Sequence, residues 1–507
     1  MDSNENSVLL KEEYDIKGYD DEQYENGQSG SLFSKWLPKT RRNRLILLVL
    51  LILIVCTIIA TVVPLVILSK GRHTVVLSHN CQDDGGKLVN TALKGTQAYS
   101  KLKTMCTTFG NRLSGSDALE KAIDWVQAQM IADGLENVQT QDVNVTHWVR
   151  GNEHAAILSP FTKRMNILGL GGSINTTANG VTAEVLVVSS FDDLVNKSAL
   201  CPKKIVLFNV PFTEYGVTVA YRSGGAVAAA KCGGVAALVR SITPFSIGSP
   251  HTGMMSYRDG VNKIPTAAIT LEDADLIQGL SDQGTVVSVN LYMEAQTMPN
   301  PAVSRNVMGQ VTGSMYPEQV VVIGGHIDSW DVGQGAVDDG GGVMVAWEAV
   351  RLMKALGIQP LRTVRVVAWT NEENGAAGAQ TYANVHRNET FFSIETDGGT
   401  TTPLGFTVSG ASEATIDALQ SLSDDVLSEL GANLVIEGES GTDNSFLIVP
   451  GQIPGGELSV DMSKYFWYHH SEGDALDKVD PHQMDQCVAS MASMSLCIAN
   501  FNGPLPK

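Results

Sequence analysis

The sequence predicts an α/β protein in which a mixed, mostly parallel sheet is sandwiched by helices, with a β-rich inserted domain and a single-pass transmembrane anchor. From residue 319 onward strand patterns alternate with helix patterns, an order typical of a sheet covered on both faces. Residues 156–295 carry short β-branched strands such as EVLVVSS and KIVLFNV, which indicates a separate insert. Residues 45–68 are apolar and uncharged over a length that matches the roughly 20 residues needed to cross a bilayer.

Length and charge narrow the class of protein. A chain of 507 residues that is 43% hydrophobic has room for an enzyme domain and an inserted or appended one. The net charge of -19 argues against a nucleic-acid partner, because no basic stripe is present to neutralise phosphates.

The apolar stretch at 45–68 predicts a signal-anchor that remains on the protein. A cleaved signal peptide has a shorter apolar stretch and ends at a small-residue cleavage site. Basic residues cluster just before the stretch, so the positive-inside rule keeps residues 1–44, a polar and disordered tail, in the cytoplasm. We therefore expect a type II membrane protein with a stalk at 69–80 and a lumenal or extracellular remainder.

A short motif in the tail bears on the compartment. ENSVLL at residues 5–10 resembles the acidic dileucine signals that direct membrane proteins to endosomes and lysosomes. Such short motifs also arise by chance. An endosomal or lysosomal destination and the cell surface both stay open.

Cysteines and sequons fit a lumenal or extracellular placement. Six of the seven cysteines lie outside the apolar stretch, an even number that permits disulfides in an oxidising compartment. Cys487 and Cys497 share one predicted helix, where ten residues separate them by about 15 Å, too far for a bridge. Four Asn-x-Ser/Thr sequons are candidate glycosylation sites: Asn144, Asn175, Asn196 and Asn388.

Two segments flank the insert. Residues 81–155 show helical spacing, as in ALEKAIDWVQAQMIADGL, and start the α/β domain that residues 296–507 continue. Within the insert, three arginines could meet the anionic end of a ligand, although solvated surface arginines are the simpler interpretation. They are Arg222, Arg240 and Arg258.

The first candidate site residues follow the buried strand QVVVIGG. His326 ends that strand, so its imidazole should project beyond the carboxyl edge of the sheet, where ligands bind. Neutral imidazole is a good zinc ligand, and Asp328 could accept a hydrogen bond from its other ring nitrogen. In GAVDDGGG, Asp338 can bridge two cations, and Asp339 suits a helix cap or a group that supports a ligand. Taken alone, the first segment is more often a structural histidine, and the second is better interpreted as a helix cap with a flexible loop.

Further acids and a second histidine extend the set. Glu372 and Glu373 end the buried strand of VVAWTNEENG, where two acids are costly unless they are paired or bound to metal. One of them can ligate while the other acts as a general base. Asp397 ends FFSIETD in the same way, and His470 lies in YHHSEGD. The ordered set of two histidines and three carboxylates, with one glutamate left over, suits a two-zinc peptidase site.

Several segments together resemble the family of co-catalytic di-zinc aminopeptidases and carboxypeptidases. They are GGHIDSWDVGQGAVDDGGG, WTNEENGAAGA, ETDGGT, GTDNSF and YHHSEGD, and the likeness continues through RSITPFSIGSPHTG and IPTAAITLEDAD in the insert. The resemblance therefore covers nearly all the chain from about residue 85. It implies a zinc exopeptidase fold, a protease-associated-like insert that helps to close the cleft, two zinc ions per chain, short peptide substrates and a homodimer.

The resemblance also implies roles for individual residues. Asp338, His326 and Asp397 would hold one zinc ion, and Asp338, Glu373 and His470 would hold the other. Glu372 would be the general base for attack by a metal-bound water. A preference for dipeptides follows from the resemblance as well.

Two features depart from the family. Its members often have Tyr just before the last His ligand, whereas His469 stands there in this chain. We hypothesise that His469 donates the hydrogen bond that the Tyr hydroxyl would give to the tetrahedral oxyanion. A secreted carboxypeptidase of the family is made with a cleaved signal and a propeptide, where this chain has its predicted anchor.

Two other functions share these features. An aminopeptidase uses the same core, because selectivity depends on pockets that the sequence does not reveal. A transferrin-receptor-like binding protein combines a similar anchor, insert and fold without catalysis, but its metal ligands are degraded. All five candidate ligands and Glu372 are intact here, so the sequence favours an active zinc carboxypeptidase or dipeptidase.

Overall fold

A computed structural model describes residues 79–506. Capping residues set several helix starts: Ser116 accepts a hydrogen bond from Leu119 N, and Asp480 precedes a helix that begins with Pro481. The α-helices of the described chain are α1 (His79–Ala92), α2 (Ala98–Thr108), α3 (Asp117–Ala132), α4 (Phe191–Asn196), α5 (Tyr215–Lys231), α6 (Leu271–Asp282), α7 (Gly341–Ala355), α8 (Ala377–His386), α9 (Glu413–Leu427), α10 (Thr442–Ser445), α11 (Tyr465–Tyr468) and α12 (Pro481–Ala499).

The strands of the same residues form two eight-stranded sheets and one two-stranded sheet. In chain order they are β1 (Glu136–Val145), β2 (Trp148–Val149), β3 (Glu153–Ser159), β4 (Lys163–Met165), β5 (Ile167–Gly169), β6 (Val181–Val188), β7 (Ile205–Phe208), β8 (Ala236–Arg240), β9 (Thr266–Ile269), β10 (Ser288–Met293), β11 (Gln296–Thr297), β12 (Ala302–Val311), β13 (Tyr316–His326), β14 (Arg362–Trp369), β15 (Thr390–Glu395), β16 (Pro403–Ser409), β17 (Leu434–Glu437) and β18 (Gly455–Val460).

The first sheet has the order β1-β12-β14-β13-β15-β18-β16-β17. Its central strand β13 pairs in parallel with both β14 and β15, and β15 pairs in parallel with β18. Strands β1, β12 and β16 introduce antiparallel pairs. The predicted mixed sheet is therefore confirmed.

Both faces of this sheet are covered, because alternate residues of β13 enter different cores. Val321 and Ile323 pack with the residues of α7 and α12. Val320 and Val322 pack on the opposite face with Tyr382 of α8. An apolar run that is buried on both faces is typical of a strand in the middle of an α/β sheet.

The second sheet has the order β4-β3-β10-β6-β7-β8-β9-β5. Strands β6, β7, β8 and β9 are parallel to one another, and helices α5 and α6 belong to the same part of the chain. This part is thus α/β in character rather than only β-rich. The insert predicted over 156–295 covers most of this sheet, and its bounds as a domain stay a prediction.

The predicted tail, anchor and most of the stalk lie outside the described residues. None of the helices between His79 and Pro506 combines the length and the apolar character that a membrane crossing needs.

Two disulfides link distant segments. Cys81 of α1 pairs with Cys497 of α12, and Cys201 pairs with Cys232. Cys106 and Cys487 are buried free thiols, so the prediction that Cys487 and Cys497 do not bridge each other is confirmed. The asparagines of the four predicted sequons are all exposed: Asn144, Asn175, Asn196 and Asn388.

Candidate metal centre

The candidate ligands meet at the carboxyl edge of the first sheet. His326 is the last residue of β13, and Glu373 follows β14 after a short turn. Asp397 comes two residues after β15. Because β13 is parallel to both neighbours, these strand ends share one edge, which is the arrangement that the sequence predicts.

One group of donor atoms surrounds His326. Its Nε2 lies 3.1 Å from Asp338 Oδ1 and 3.2 Å from Asp397 Oδ1. Its Nδ1 lies 3.0 Å from the carbonyl oxygen of Asp328. Because Nδ1–H is donated to that carbonyl, Nε2 is the nitrogen that faces the two carboxylates, and it is the one that could bind a metal.

Asp328 supports His326 through a different group from the predicted carboxylate. Its carbonyl, and not its carboxylate, accepts the hydrogen bond from His326, whose Nδ1 is 3.9 Å from Oδ1. The carboxylate instead accepts from the backbone N–H of Glu372 at 3.1 Å and from Ser114 Oγ at 3.1 Å. Asp328 therefore supports the histidine and the glutamate at the same time.

A second group surrounds His470. Its Nε2 lies 3.0 Å from Glu373 Oε2 and 3.3 Å from Asp338 Oδ2. Asp338 thus turns one oxygen to each histidine. The other oxygen of Glu373, Oε1, is buried and has no hydrogen-bond partner among residues 79–506. Imidazole nitrogens and carboxylate oxygens in this arrangement fit a pair of zinc ions.

His469 lies in the same group. Its ring stacks on that of His470 with the centroids 3.5 Å apart, and its Nε2 is 3.6 Å from Asp338 Oδ2. Burial, and then the charge of His470, lower its pKa well below the usual value. A neutral His469 has one N–H to donate, which its predicted role requires.

The close packing of acidic side chains shifts their pKa values. Burial, and then the charge of Asp338, raise the pKa of Glu373 to about 8. Burial raises the pKa of Asp397 to about 6, although His326 opposes the rise. Burial would also raise the pKa of Asp338, but hydrogen bonds from His326 and His470 hold it well below its usual value. Cations would relieve this repulsion.

Glu372 differs from the other acids. It is only partly buried, and its carboxylate makes no hydrogen bond to any described residue. Its charge contributes to the pKa shifts of His326, Asp397 and Asp443, which means that it lies close to all three. A free carboxylate beside the ligands is suited to carry protons.

Asp339 and Asp474 hold the loop that carries Asp338. Asp339 Oδ2 accepts from His326 N, and its Oδ1 accepts from Gly342 N at the start of α7, both at 3.0 Å. Asp339 thus contacts both the end of β13 and the start of α7, and its role stays a prediction. Asp474 accepts from the backbone of Ala336 and Val337 at 2.9 and 2.7 Å. Asp474 belongs to YHHSEGD, and its place in that segment predicts no role for it.

The sequence patterns do not predict a role for two further residues that lie close to the centre. Tyr465 of α11 is buried, and its ring lies 5.2 Å from that of His469. Burial, and then the charge of Asp338, raise the pKa of its phenol well above the usual value, so it keeps its proton. Asp443 of GTDNSF is fully buried, and neither carboxylate oxygen has a partner in the described chain.

The part of the chain that carries the second sheet also reaches the centre. His251 Nδ1 lies 2.6 Å from the carbonyl oxygen of His469. Burial lowers the pKa of His251 to about 4, so the ring is neutral and donates from Nδ1. Thr252 N donates to His470 O at 2.8 Å. Both residues belong to RSITPFSIGSPHTG, which contained no chemical signal of its own.

The three arginines of the insert differ from one another. Arg258 is exposed, as the simpler interpretation has it. Arg240 pairs with Asp275. Arg222 is buried, and its Nη1 lies 3.4 Å from His470 Nδ1, so the surface interpretation is wrong for this residue.

Comparisons with known proteins show the family and the fold of this chain. A model of peptidase family M28 matches residues 306–495. Carboxypeptidase Q of Homo sapiens is 45% identical over 436 residues, which cover 84% of this chain and 91% of that protein. The solved structure of a peptidase M28 precursor from Shewanella amazonensis has a TM-score of 0.81 at 34% identity, and the match covers 84% of this chain and 98% of the other. A zinc aminopeptidase from Bacillus subtilis has the same fold, with a TM-score of 0.58 at 18% identity over 78% of this chain and 93% of the other.

Proposed function

This chain belongs to the carboxypeptidase Q family within peptidase family M28 and is a zinc exopeptidase that acts on peptides, and from that premise we propose that it hydrolyses short peptides, dipeptides first among them. The observation that carries the proposal is the shared carboxylate of Asp338. Its two oxygens face His326 Nε2 and His470 Nε2 at 3.1 and 3.3 Å. A bridging carboxylate of this kind suits two neighbouring cations.

The ligands divide into two sets around Asp338. His326 and Asp397 complete one set, and His470 and Glu373 complete the other. Glu373 is a better candidate than His469, because Glu373 Oε2 lies 3.0 Å from His470 Nε2 and Glu373 Oε1 is free to ligate. A carboxylate also offsets more of the positive charge of zinc than an imidazole does.

Glu372 is the general base of the proposed reaction. Bound zinc supplies Lewis-acid polarisation of the scissile carbonyl and lowers the pKa of water. The Glu372 carboxylate takes a proton from the attacking water and later delivers it to the nitrogen of the leaving amine, as the C–N bond of the peptide breaks. The hydrogen bond from Glu372 N to Asp328 Oδ1 at 3.1 Å fixes the backbone of this residue beside the ligands.

Hydrolysis of a dipeptide panel by the purified full chain tests this proposal, with bound zinc quantified in the same samples. We expect free amino acids from wild type, and a loss of about 100-fold or more in kcat for Glu372→Gln with about two zinc ions retained. Release of amino acids from peptides with a blocked carboxyl terminus, but not from peptides with a blocked amino terminus, would favour an aminopeptidase instead. A Glu372→Gln variant with undiminished turnover would exclude this base.

The placement of the enzyme is a separate proposal. Two disulfides and four exposed sequon asparagines support a lumenal or extracellular catalytic part. The type II anchor stays a prediction from the sequence, and the protease-associated-like insert and the homodimer stay predictions from the family resemblance. A mobility shift on deglycosylation that disappears in a quadruple Asn→Gln variant would support the placement, and no shift would count against it.

A further inference from the structure

Asn371 stands directly before the proposed base, Glu372, and has a strained backbone. Its φ is 70°, in the left-handed region that non-glycine residues rarely adopt. Asparagine tolerates this region better than most residues do, because its short polar side chain can form local hydrogen bonds. The chain passes through Asn371 as it leaves the end of β14. The direction in which Glu372 leaves the strand therefore depends on the conformation of Asn371.

Both ends of the Asn371 side chain are hydrogen-bonded. Its Oδ1 accepts from Ala377 N at 3.2 Å, at the start of α8, and its Nδ2 donates to Ser114 Oγ at 3.0 Å. Its backbone carbonyl accepts from Ala376 N at 2.7 Å. Asn371 is 1% exposed, so these contacts are made away from water. A strained backbone persists only where the surrounding structure fixes it, and these bonds do so.

Ser114 connects Asn371 to a second group that holds Glu372. The Ser114 hydroxyl donates to Asp328 Oδ2 at 3.1 Å, and Asp328 Oδ1 accepts from Glu372 N at 3.1 Å. Because a peptide bond joins Asn371 to Glu372, these contacts form a closed network. We refer to its members as the Ser114 network: Asn371, Ser114, Asp328 and Glu372. Both Ser114 and Asp328 are buried.

Ser114 is held in place by the loop that carries it, between α2 and α3. Arg112 N donates to Ser329 Oγ at 2.9 Å, and Ser329 N donates back to Arg112 O at 3.1 Å. Arg112 Nε donates to Ile327 O at 2.7 Å. The loop is therefore bound to the chain on both sides of Asp328. This binding keeps the Ser114 hydroxyl next to the Asp328 carboxylate.

The Ser114 network holds Glu372 by its backbone N–H and not by its carboxylate. A general base needs a carboxylate that is available to the proton and a backbone that stays in place. None of the five proposed zinc ligands is a member of the network, although the Asp328 carbonyl also contacts His326. The network is thus placed to act on the base more than on the metal.

We propose that Asn371 is a positioning residue for the general base and that Ser114 keeps it in place. The inference rests on the proposed function and deepens it, because it names the residues that fix Glu372. Opening the network should let Glu372 move relative to the attacking water without removing a ligand of the metal. A displacement of about 1 Å can lower a rate about 100-fold.

Two variants open the network at different residues: Ser114→Ala and Asn371→Gly. The second places glycine where the backbone is left-handed, a conformation that glycine adopts at little cost, so it tests the side chain alone. In the zinc-loaded full chain, both should lower kcat for a dipeptide about 10- to 100-fold. KM should stay at the wild-type value, and about two zinc ions per chain should be retained.

The Glu372→Gln background separates positioning of the base from a general structural effect. Residues that act as a unit are non-additive, so Ser114→Ala should lower the residual turnover of Glu372→Gln no further. A further loss of the same size in that background would show that the network acts on something other than the base. Loss of zinc from Ser114→Ala would show that it acts on the metal ligands. Either result would overturn the inference.

Asn500→Ala is the matched control for the loss of a buried hydrogen bond. Asn500 is 4% exposed, and its Oδ1 accepts at 2.8 Å from Leu361 N, just before β14, whereas Asn371 follows the end of that strand. The Asn500→Ala variant should melt at a lower temperature and keep the wild-type kcat. Unchanged kcat in Ser114→Ala and Asn371→Gly would overturn the inference alone. Undiminished turnover in Glu372→Gln would overturn the proposed base and the inference together.

Discussion

Thr252 and His470 contact each other through two pairs of polar atoms. Thr252 N donates to the His470 carbonyl at 2.8 Å, and His470 Nδ1 lies 3.3 Å from the Thr252 carbonyl. His470 has a φ of 59°, a conformation that non-glycine residues rarely adopt and that neighbouring contacts must maintain. Thr252, which lies between two strands of the second sheet, thus orients His470, a proposed zinc ligand that follows the last strand of the first sheet.

His251 is expected to position the same ligand through the preceding residue. Its neutral ring donates from Nδ1 to His469 O at 2.6 Å. His251→Leu removes that bond and leaves a buried carbonyl without a partner. Groups that orient metal ligands typically contribute roughly 10- to 100-fold in metal affinity or activity. We expect a loss of that size in kcat/KM and faster release of zinc to a chelator.

His154→Leu is the control for this variant. His154 is exposed and stacks on Tyr292 in the same sheet, away from the proposed ligands. The His154→Leu variant should release zinc at the wild-type rate. Identical zinc release from His251→Leu and wild type would show that the bond to His469 does not support the centre.

Asp338 and Asp397 should differ in how much zinc their loss removes. Asp338 offers one oxygen to each set of donors, whereas Asp397 approaches only His326. Asp338→Asn should lower zinc content from about two ions per chain to fewer than one, and Asp397→Asn should leave about one. Elemental analysis after dialysis against buffered zinc measures the number of zinc ions per chain. Equal losses in the two variants would contradict a bridging role for Asp338.

His469 and Tyr465 are rival donors to the oxyanion. If His469 is the donor, His469→Phe should lower kcat about 100- to 1000-fold with little change in zinc content. Tyr465→Phe removes only a hydroxyl from a ring that lies 5.2 Å from His469 and should then have a small effect. Unchanged turnover in His469→Phe would exclude the histidine. A loss confined to Tyr465→Phe would assign the role to the phenol.

The disulfide between Cys81 and Cys497 should contribute to the stability of the fold. It joins α1 to α12 across a sequence separation of 416. Removal of such a link typically costs about 2 to 4 kcal/mol of unfolding free energy. The Cys81→Ala, Cys497→Ala double variant should therefore melt several degrees lower. Cys106→Ala, which removes a buried free thiol, is the control, and an equal fall in both melting temperatures would contradict a specific effect of the link.

The local pattern of the sequence predicts that the candidate ligands meet at one edge of the sheet. His326 and Glu373 each follow an apolar run, and parallel strands bring such ends to one edge. The contacts that Arg222 and His251 make with the centre are not readable in the same way. Each depends on a contact with a residue more than 200 positions away, and a lone arginine or histidine in a small-residue segment resembles a surface residue.

Glu389, which is remote from the metal centre, should make the free energy of unfolding depend on pH. A hydrogen bond with His386, followed by one from Arg365, lowers the pKa of Glu389 from 4.5 to about 2. A lowered pKa in the folded state means that the carboxylate stabilises the fold fully above the unfolded value of 4.5. This contribution is lost as the pH falls from there through about 2.

Glu389→Gln should therefore reduce the unfolding free energy more at pH 7 than at pH 3, as urea titrations at the two pH values would measure. Arg365 is largely buried and loses a partner in the variant, so part of the cost should persist at both pH values. Asp477→Asn is the control, because its pair with Lys478 is exposed and should contribute little at either pH. A cost of Glu389→Gln that is the same at pH 7 and pH 3 would mean that the ion pairs of Glu389 do not stabilise the fold.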